Sequence, residues 1–176
     1  MSTVVVRTLT ESDLSDVAEV HARAFPRQGH SRSWIESNAR GYPRMRYFVA
    51  TKDNRICGYI LWAEKSGFRD EVVLELEQIG VLPSHQGRGI GKALILNSLP
   101  EVANQLSERG ARLKAVVVTT RADNSAQGLY RKTLGAQVEA VIPNLYSADE
   151  VIMIARNPIA HNPLLNRTHP DDARAG

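Results

Sequence analysis

The segment QGRGIGKA, residues 86–93, holds three glycines in five positions directly before an apolar run. Glycine lets the backbone approach a ligand closely and adopt conformations that other residues avoid. Consecutive backbone N–H groups at the start of a helix can bind an anion such as a phosphate. The candidate anion-binding residues are Gln86, Gly87, Arg88, Gly89, Ile90, Gly91 and Lys92.

Two common phosphate-binding loops do not fit this segment. A P-loop needs glycine and a hydroxyl residue where this chain has Gln86 and Ala93. A dinucleotide fingerprint that starts at Gly87 needs its third glycine where Lys92 stands. The sequence therefore predicts an anion-binding loop of another kind, with a tight turn that binds nothing as the alternative.

Two carboxylates precede the loop on a predicted strand, EVVLELEQIGVLP. Strand alternation predicts that Glu75 and Glu77 share one face with Val73, Ile79 and Val81. Acidic residues on a strand are often only solvated. A pair that leads into an anion-binding loop is nevertheless a candidate general base.

The elements that must position these residues follow from periodicity. Short apolar runs predict seven strands, at 4–7, 47–51, 56–64, 71–83, 113–120, 136–142 and 150–155. Helical spacing predicts four helices, at about 14–25, 33–41, 89–109 and 125–135. This order, βααβββαβαββ, predicts an α+β domain around a mixed sheet of about seven strands flanked by about four helices.

Local signals refine this outline. Thr10 and Asp13 are typical of a capping box before the first helix. The residues KDNR predict a hairpin turn between the second and third strands. Gly135 ends the fourth helix, and Pro100 should kink the third helix or split it in two.

The composition of the chain indicates its domain organisation and the compartment that suits it. The chain has 176 residues, a net charge of +3 and 43% hydrophobic residues, which is typical of one globular domain. We expect residues 1–156 to form that domain and the Pro-rich residues 157–176 to form a flexible tail. The single cysteine, Cys57, suits a reducing cytoplasm and a place in the core.

Several classes of function have little support in the sequence. No polybasic tract indicates nucleic-acid binding, and no apolar run is long enough to span a membrane. The five histidines are far apart, so we expect no metal site.

Two motifs resemble those of the GNAT superfamily of N-acetyltransferases. The pattern Q-x-x-G-x-G after a V-L-P strand end is similar to that family's acetyl-CoA pyrophosphate loop. About forty residues later, DNSAQGLYRKTLGA is similar to its Asn-x-x-Ala-x-x-Leu-Tyr-x-x-x-Gly segment, although Asp123 takes the first position and Asn124 follows it. Four residues, not three, separate Tyr130 from Gly135. The resemblance covers roughly residues 3–156.

Within the superfamily, the chain most resembles the bacterial ribosomal-protein alanine N-acetyltransferases. HARAFP at the end of the first helix and YSADEVIMIARNP at the end of the domain carry this closer similarity.

The resemblance implies the GNAT fold and transfer of an acetyl group from acetyl-CoA to a primary amine. It implies that residues 86–91 hold the pyrophosphate and that Ile79, Gly80 and Val81 run alongside the pantetheine arm, with the Ile79 N–H as oxyanion donor. It further implies that Asn124, or Asp123 in its place, contacts the cofactor. Tyr130 would be the general acid toward the leaving thiolate.

One departure leaves the base open. The ribosomal alanine enzymes carry a glutamate where this chain has Thr119, or Val118 if Asp123 replaces the asparagine. Glu75 lies eleven residues before Gln86, the spacing of the histone-acetylating branch. Glu75 and Glu77 therefore stay the candidate bases.

The acceptor is also open, between a peptide N-terminus and a small-molecule amine. Rival functions are transfer from another acyl-CoA and a non-catalytic CoA-binding sensor. A homodimer is a further expectation that the sequence leaves undecided.

Overall fold

The computed structural model describes residues 3–164. Its centre is one sheet of seven strands in the spatial order β1-β2-β3-β4-β5-β7-β6. The strands are β1 (Val5–Thr8), β2 (Met45–Lys52), β3 (Arg55–Glu64), β4 (Glu71–Val81), β5 (Arg112–Arg121), β6 (Gln137–Ile142) and β7 (Glu150–Arg156). Neighbours are antiparallel except β4 and β5, which are parallel.

Four helices flank the sheet, and the predicted α+β fold with seven strands and four helices is confirmed. They are α1 (Leu14–Ala24), α2 (Ser31–Ala39), α3 (Ile90–Glu108) and α4 (Gln127–Leu134). Helices α1 and α2 cover the face of β2 to β4 that carries Tyr47, Tyr59 and Leu61. Helices α3 and α4 cover the opposite face. None of the helices within residues 3–164 has the length and apolar character that crossing a membrane requires.

The local signals that sequence chemistry offers are present. The Asp13 carboxylate accepts the Thr10 backbone N–H at 2.7 Å, as in a capping box. Asp53 and Asn54 take left-handed φ angles of 51° and 58° in the β2–β3 turn. Gly135, at φ 70°, ends α4. Each of these features depends on a few adjacent residues, which is why sequence predicts them.

A β-bulge at Glu77 breaks the alternation of β4. Leu61 of β3 pairs with Gln78, but the next residue of β3, Trp62, pairs with Leu76, so Glu77 is an extra residue in β4. Such a bulge moves the residues that follow it to the other face of the strand.

The prediction that Ile79 and Val81 share a face with Glu75 and Glu77 is therefore wrong. Ile79 and Val81 pack against the core beneath α3. Gly80 instead faces Tyr59, on the side of α1.

Strands β4 and β5 separate just before this bulge. Their parallel register begins at the pair Glu71 and Arg112 and ends at Glu75 and Val117. Beyond it, β4 stays paired only with β3 and β5 only with β7. A wedge therefore opens between residues 76–81 of β4 and residues 118–121 of β5, and we call it the β4–β5 wedge.

Helix α3 is continuous through Pro100, so the predicted split does not occur. A proline has no N–H, which leaves the carbonyl four residues earlier without its helical partner. That carbonyl, of Leu96, accepts a hydrogen bond from the Asn162 side-chain amide at 2.8 Å. Asn162 is 1% exposed.

The beginning of the segment expected to be a flexible tail is thus packed on the domain. Besides Asn162, Pro158 is buried, and Ile159 packs against the main core. The expectation for residues 165–176 lies outside the described residues. The division into a domain of residues 1–156 and a tail stays a prediction.

A buried charge cluster closes the end of β3 opposite the hairpin turn. The Glu64 carboxylate, whose side chain is 1% exposed, contacts the guanidinium groups of Arg46 and Arg109. Arg46 also donates to Gln105 of α3 at 3.1 Å. Arg109 lies over the Phe68 ring at 4.9 Å, and the Glu64 hydrogen bond raises its pKa. The cluster joins β2, β3, α3 and the β3–β4 loop.

Candidate active site

The β4–β5 wedge exposes backbone groups of β4. The Leu82 N–H donates to the Cys57 carbonyl of β3 at 2.9 Å, so this N–H points toward β3. Because N–H groups of successive strand residues alternate in direction, those of Ile79 and Val81 face the wedge. The Val81 carbonyl confirms this direction, since it accepts the Gln86 side-chain amide at 3.0 Å rather than a β3 N–H. Ile79 thus has a backbone donor on the open side.

The glycine loop lies beyond the end of β4, where the wedge is widest. Gly87 and Gly89 have φ angles of 72° and 78°, in the left-handed region that glycine tolerates. A Cβ atom at either position would meet no atom within 4 Å, so backbone conformation and not crowding requires the glycines. Gly89 is the residue directly before α3.

The N–H groups of this loop are free. Among the described residues, none of the six consecutive backbone N–H groups of residues 87–92 has a hydrogen-bond acceptor, and the first bonded one is Ala93, to Gly89. The positive end of the α3 dipole points the same way. The loop therefore presents a set of donors suited to an anion, as the sequence predicts.

Helix α4 brings Tyr130 to this region. The first turn of α3 contacts α4 closely, since a Cβ on Gly91 would lie 3.2 Å from the Leu129 side chain. Tyr130 is 4% exposed, and burial raises the pKa of its hydroxyl to about 12. Its hydroxyl has no hydrogen-bond partner within residues 3–164 and is not sealed from solvent. Tyr130 is therefore protonated at neutral pH and free to donate.

Asn124 has a local role that the sequence did not indicate. Its amide donates to the Thr120 hydroxyl at 2.8 Å, and its carbonyl oxygen accepts the Ala126 N–H at 2.9 Å, which caps the turn into α4. Asp123 is paired with Arg121 at 2.8 Å, and this hydrogen bond lowers the pKa of Asp123. A cofactor contact by either residue stays a prediction.

The structure distinguishes the two candidate bases. The Glu75 carboxylate binds the Lys65 ammonium at 2.6 Å and lies 3.5 Å from the Thr119 hydroxyl, at the limit of a hydrogen bond. Glu77 is exposed and has no ion pair within residues 3–164. Partial desolvation and the nearby Glu75 charge raise the pKa of Glu77. Glu77 is the better proton acceptor because its oxygens are free.

Sequence reasoning missed a polar network beside Glu77. Gln78 is 9% exposed, and its carbonyl oxygen accepts the Tyr59 hydroxyl at 2.6 Å and the Trp34 ring N–H at 3.1 Å. Its amide donates to Gln28, in the loop between α1 and α2, at 3.2 Å. No periodic signal marks Gln78, because the bulge alone turns it toward α1 and α2.

This network fixes the state of His21. A Trp ring nitrogen only donates, so Gln78 must accept from Trp34 through its oxygen and donate through its nitrogen to the Gln28 oxygen. His21 Nε2, 3.0 Å from that oxygen, therefore carries a proton. Nδ1 then accepts from Ser31 at 2.8 Å in the neutral ring. Burial lowers the pKa of His21, which favours this neutral form.

Gly80 lets the α1–α2 loop pack onto β4. A Cβ atom at Gly80 would lie 2.8 Å from the Tyr59 ring and 3.2 Å from the Phe25 ring at the end of α1. The loop that begins at Phe25 therefore covers the side of β4 opposite α3. With the Gln78 network, it forms one wall beside the two carboxylates.

Comparison with known proteins gives a consistent result. The family model described as Acetyltransferase (GNAT) family matches residues 14–136. Mycothiol acetyltransferase of Rothia mucilaginosa is 29% identical over an alignment of 154 residues, and the match covers 81% of this chain. The chain spans only 43% of the length of that relative.

Solved structures share the fold. The ribosomal-protein-S18-alanine N-acetyltransferase from Escherichia coli has a TM-score of 0.67 at 23% identity and covers 88% of this chain and 94% of its own. Arabidopsis thaliana NAA60 in complex with acetyl-CoA has a TM-score of 0.69 at 16% identity, and the match covers 88% of this chain and 99% of the NAA60 chain. At these identities the similarity establishes the fold alone.

Proposed function

Because the chain belongs to the acetyltransferase (GNAT) family, we propose that it transfers the acetyl group of acetyl-CoA to a primary amine by direct attack. The observation that carries this proposal is the β4–β5 wedge. It has unpaired N–H donors at its wide end. Glu77 belongs to β4, which borders the wedge, and Tyr130 belongs to α4, which packs on the first turn of α3 beside the glycine loop.

The proposal gives each group a task. The N–H groups of residues 87–92, with Gln86 and Arg88, would bind the pyrophosphate, as anion cradles at helix starts do. The backbone of residues 79–81 would flank the pantetheine arm, which fits between β4 and β5 only where their ladder has ended. Asn124 would contact the cofactor only through groups that its capping role leaves free.

The reaction then needs two proton transfers and the stabilisation of one negative charge. Glu77 takes a proton from the amine, directly or through water, as the C–N bond forms. The Ile79 N–H stabilises the negative charge on the carbonyl oxygen. Tyr130 protonates the sulfur as the C–S bond breaks. No covalent enzyme intermediate is required, which agrees with the buried position of Cys57.

A weakly basic carboxylate suits an amine of low pKa. About a tenth of an α-amino group is neutral at pH 7, whereas a lysine needs ~4–5 kcal/mol to lose its proton. We therefore favour a peptide N-terminus or a small-molecule amine of low pKa over a lysine side chain. A cytoplasmic location and a homodimer stay predictions.

Release of free thiol from acetyl-CoA, with a panel of peptides and small amines, tests the function. Transfer to at least one amine is the expected result. Binding of acetyl-CoA without transfer to any amine would instead support a sensor. Faster transfer from a longer acyl-CoA than from acetyl-CoA would mean that the longer acyl-CoA is the donor substrate.

We expect Glu77→Gln to lower kcat/KM about tenfold at neutral pH, which is less than the usual ~10²–10⁴-fold effect of a general base, because part of the amine is already neutral. Glu77 acts when ionised, so its raised pKa places the acid limb of the wild-type pH–rate profile above the ordinary carboxylate range. Activity should fall as pH falls through that pKa. The profile of Glu77→Gln should lose this limb and recover at high pH.

Glu75→Gln is the comparison for this prediction. It removes the partner of Lys65 and should keep the acid limb. If Glu75→Gln loses the limb and Glu77→Gln retains it, the two assignments must be exchanged. Unaltered profiles in both variants would leave water as the base.

We expect Tyr130→Phe to lower kcat about a hundredfold and to change acetyl-CoA affinity less than tenfold. Phenylalanine keeps the buried ring and deletes only the proton, and a thiolate of pKa ~8.5 gains moderately from protonation. The loss appears in kcat because the interaction forms as charge develops on sulfur.

Tyr47→Phe is the matched control. The Tyr47 hydroxyl is buried and makes no hydrogen bond within residues 3–164, although the Asn38 side chain lies near enough to influence its pKa. Its loss should leave kcat unchanged. Wild-type kcat in Tyr130→Phe, with wild-type thermal stability, would remove Tyr130 from the mechanism.

A further inference from the structure

A groove lies on the sheet face next to the two carboxylates. Its volume is about 610 Å³, its floor is formed by Val73 of β4 and Val117 of β5, and its rim is formed by Lys65, Arg69, Glu71 and Lys114. The floor residues are only partly buried. We call this feature the Val73 groove.

The Val73 groove continues directly from the proposed acceptor site. Val73 is two residues before Glu75 on β4, and Val117 is two residues before Thr119 on β5. Lys65 belongs to the groove and also binds the Glu75 carboxylate at 2.6 Å. At ~3.3 Å per strand residue, Val73 is roughly 13 Å from Glu77.

The rim carries more positive than negative charge. Glu71 accepts from both Arg112 and Lys114, so one carboxylate offsets two cations. Arg69 contacts only the Ser66 carbonyl, at 2.9 Å, and has no carboxylate partner within residues 3–164. The β3–β4 loop, which carries Arg69, is held in place because its residue Phe68 lies against the Arg109 guanidinium.

We propose that the Val73 groove binds an acidic segment of a peptide acceptor whose N-terminal amine lies at Glu77. An extended peptide covers ~3.3–3.6 Å per residue, so acidic side chains at about the third to fifth residue would reach Arg69 and Lys114. The apolar floor accommodates the peptide backbone and the rim neutralises its carboxylates. This inference rests on the proposed function and names the substrate class of that site.

Three peptides that share a free N-terminal alanine and differ only at the third to fifth residues, as Glu, Gln or Lys, test the proposal. In wild type we expect kcat/KM for the Glu peptide to exceed that for the Lys peptide about tenfold at low salt, and the difference to shrink as salt rises. Arg69→Glu should raise KM for the Glu peptide about tenfold and reverse the preference. The KM for acetyl-CoA should not change.

Lys132→Glu makes the same change of charge on α4, on the other face of the sheet, and should leave the peptide preference intact. Equal kcat/KM for all three peptides in wild type, or equal losses for all three in Arg69→Glu, would overturn the proposal. Should none of the three peptides be acetylated, the panel of small amines decides whether the transfer function fails. Binding of the labelled Glu peptide to wild type and to Arg69→Glu then decides separately whether the groove recognises acidic chains: tighter binding to wild type supports the proposal, and equal or absent binding overturns it.

Discussion

Replacing Gly89 with glutamate is expected to weaken acetyl-CoA binding about a thousandfold. The new carboxylate would stand among the unpaired N–H groups of residues 87–92, where we place the pyrophosphate. Two like charges ~4 Å apart repel by ~4 kcal/mol at an effective dielectric of about 20, which is about a thousandfold in Kd. Isothermal titration calorimetry measures this directly.

Gly110→Glu is a close control for the backbone cost. Gly110 follows the end of α3, has the same φ of 78° as Gly89, and likewise has no atom within 4 Å of a built Cβ. Both variants therefore carry similar left-handed strain, but only one places charge in the loop. An unchanged Kd in Gly89→Glu would refute the assignment of the loop to the cofactor.

Replacing Glu64 with glutamine should produce the largest loss of stability among these variants. Glutamine keeps the shape of the side chain but leaves the Arg46 guanidinium, 4% exposed, without the only carboxylate that it contacts within residues 3–164. Removing one partner of a buried ion pair typically costs about 3–5 kcal/mol in free energy of unfolding. Chemical denaturation monitored by tryptophan fluorescence measures the change.

Glu71→Gln shows how much of this effect is due to burial. Glu71 also contacts two cations, Arg112 and Lys114, but its side chain is 43% exposed. Exposed ion pairs contribute little, so its unfolding midpoint should stay near wild type. Equal midpoints for Glu64→Gln and wild type would mean that water reaches the Glu64 cluster.

The parts of the fold that sequence predicts well depend on near neighbours. The Asp13 cap, the Asp53–Asn54 turn and the end of α4 at Gly135 each follow from the chemistry of a few consecutive residues. The glycine loop belongs to the same class, since glycine is the residue that adopts its left-handed angles with the least strain.

The bulge at Glu77 could not be predicted in this way. It depends on how β3 pairs with β4, so the sequence of β4 alone reads as unbroken alternation. The difference concerns the direction of the side chains, because unbroken alternation predicts Ile79 on the face of Glu75 and the bulge moves it to the other face. The bulge also interrupts the regular pairing of β4 with β3 beside the point where β4 and β5 part.

The preference for Glu77 over Glu75 that we propose likewise could not be inferred from the sequence. It depends on Lys65, which lies ten residues from Glu75 along the chain and reaches it only through the β3–β4 hairpin. The Gln78 network has the same origin, since its partners come from the α1–α2 loop, α2 and β3. Tertiary contacts, and not local patterns, select among candidate side chains.

The bond between Asn162 and Leu96 joins residues 66 positions apart and closes the gap that Pro100 leaves in α3. During synthesis, α3 leaves the ribosome long before Asn162 does. The Leu96 carbonyl must therefore rely on water until nearly all of the described chain has emerged. The native helix is completed only when the segment after β7 docks, so the sheet, which itself needs β7, and its longest helix reach their final form together, after residue 162 has been synthesised.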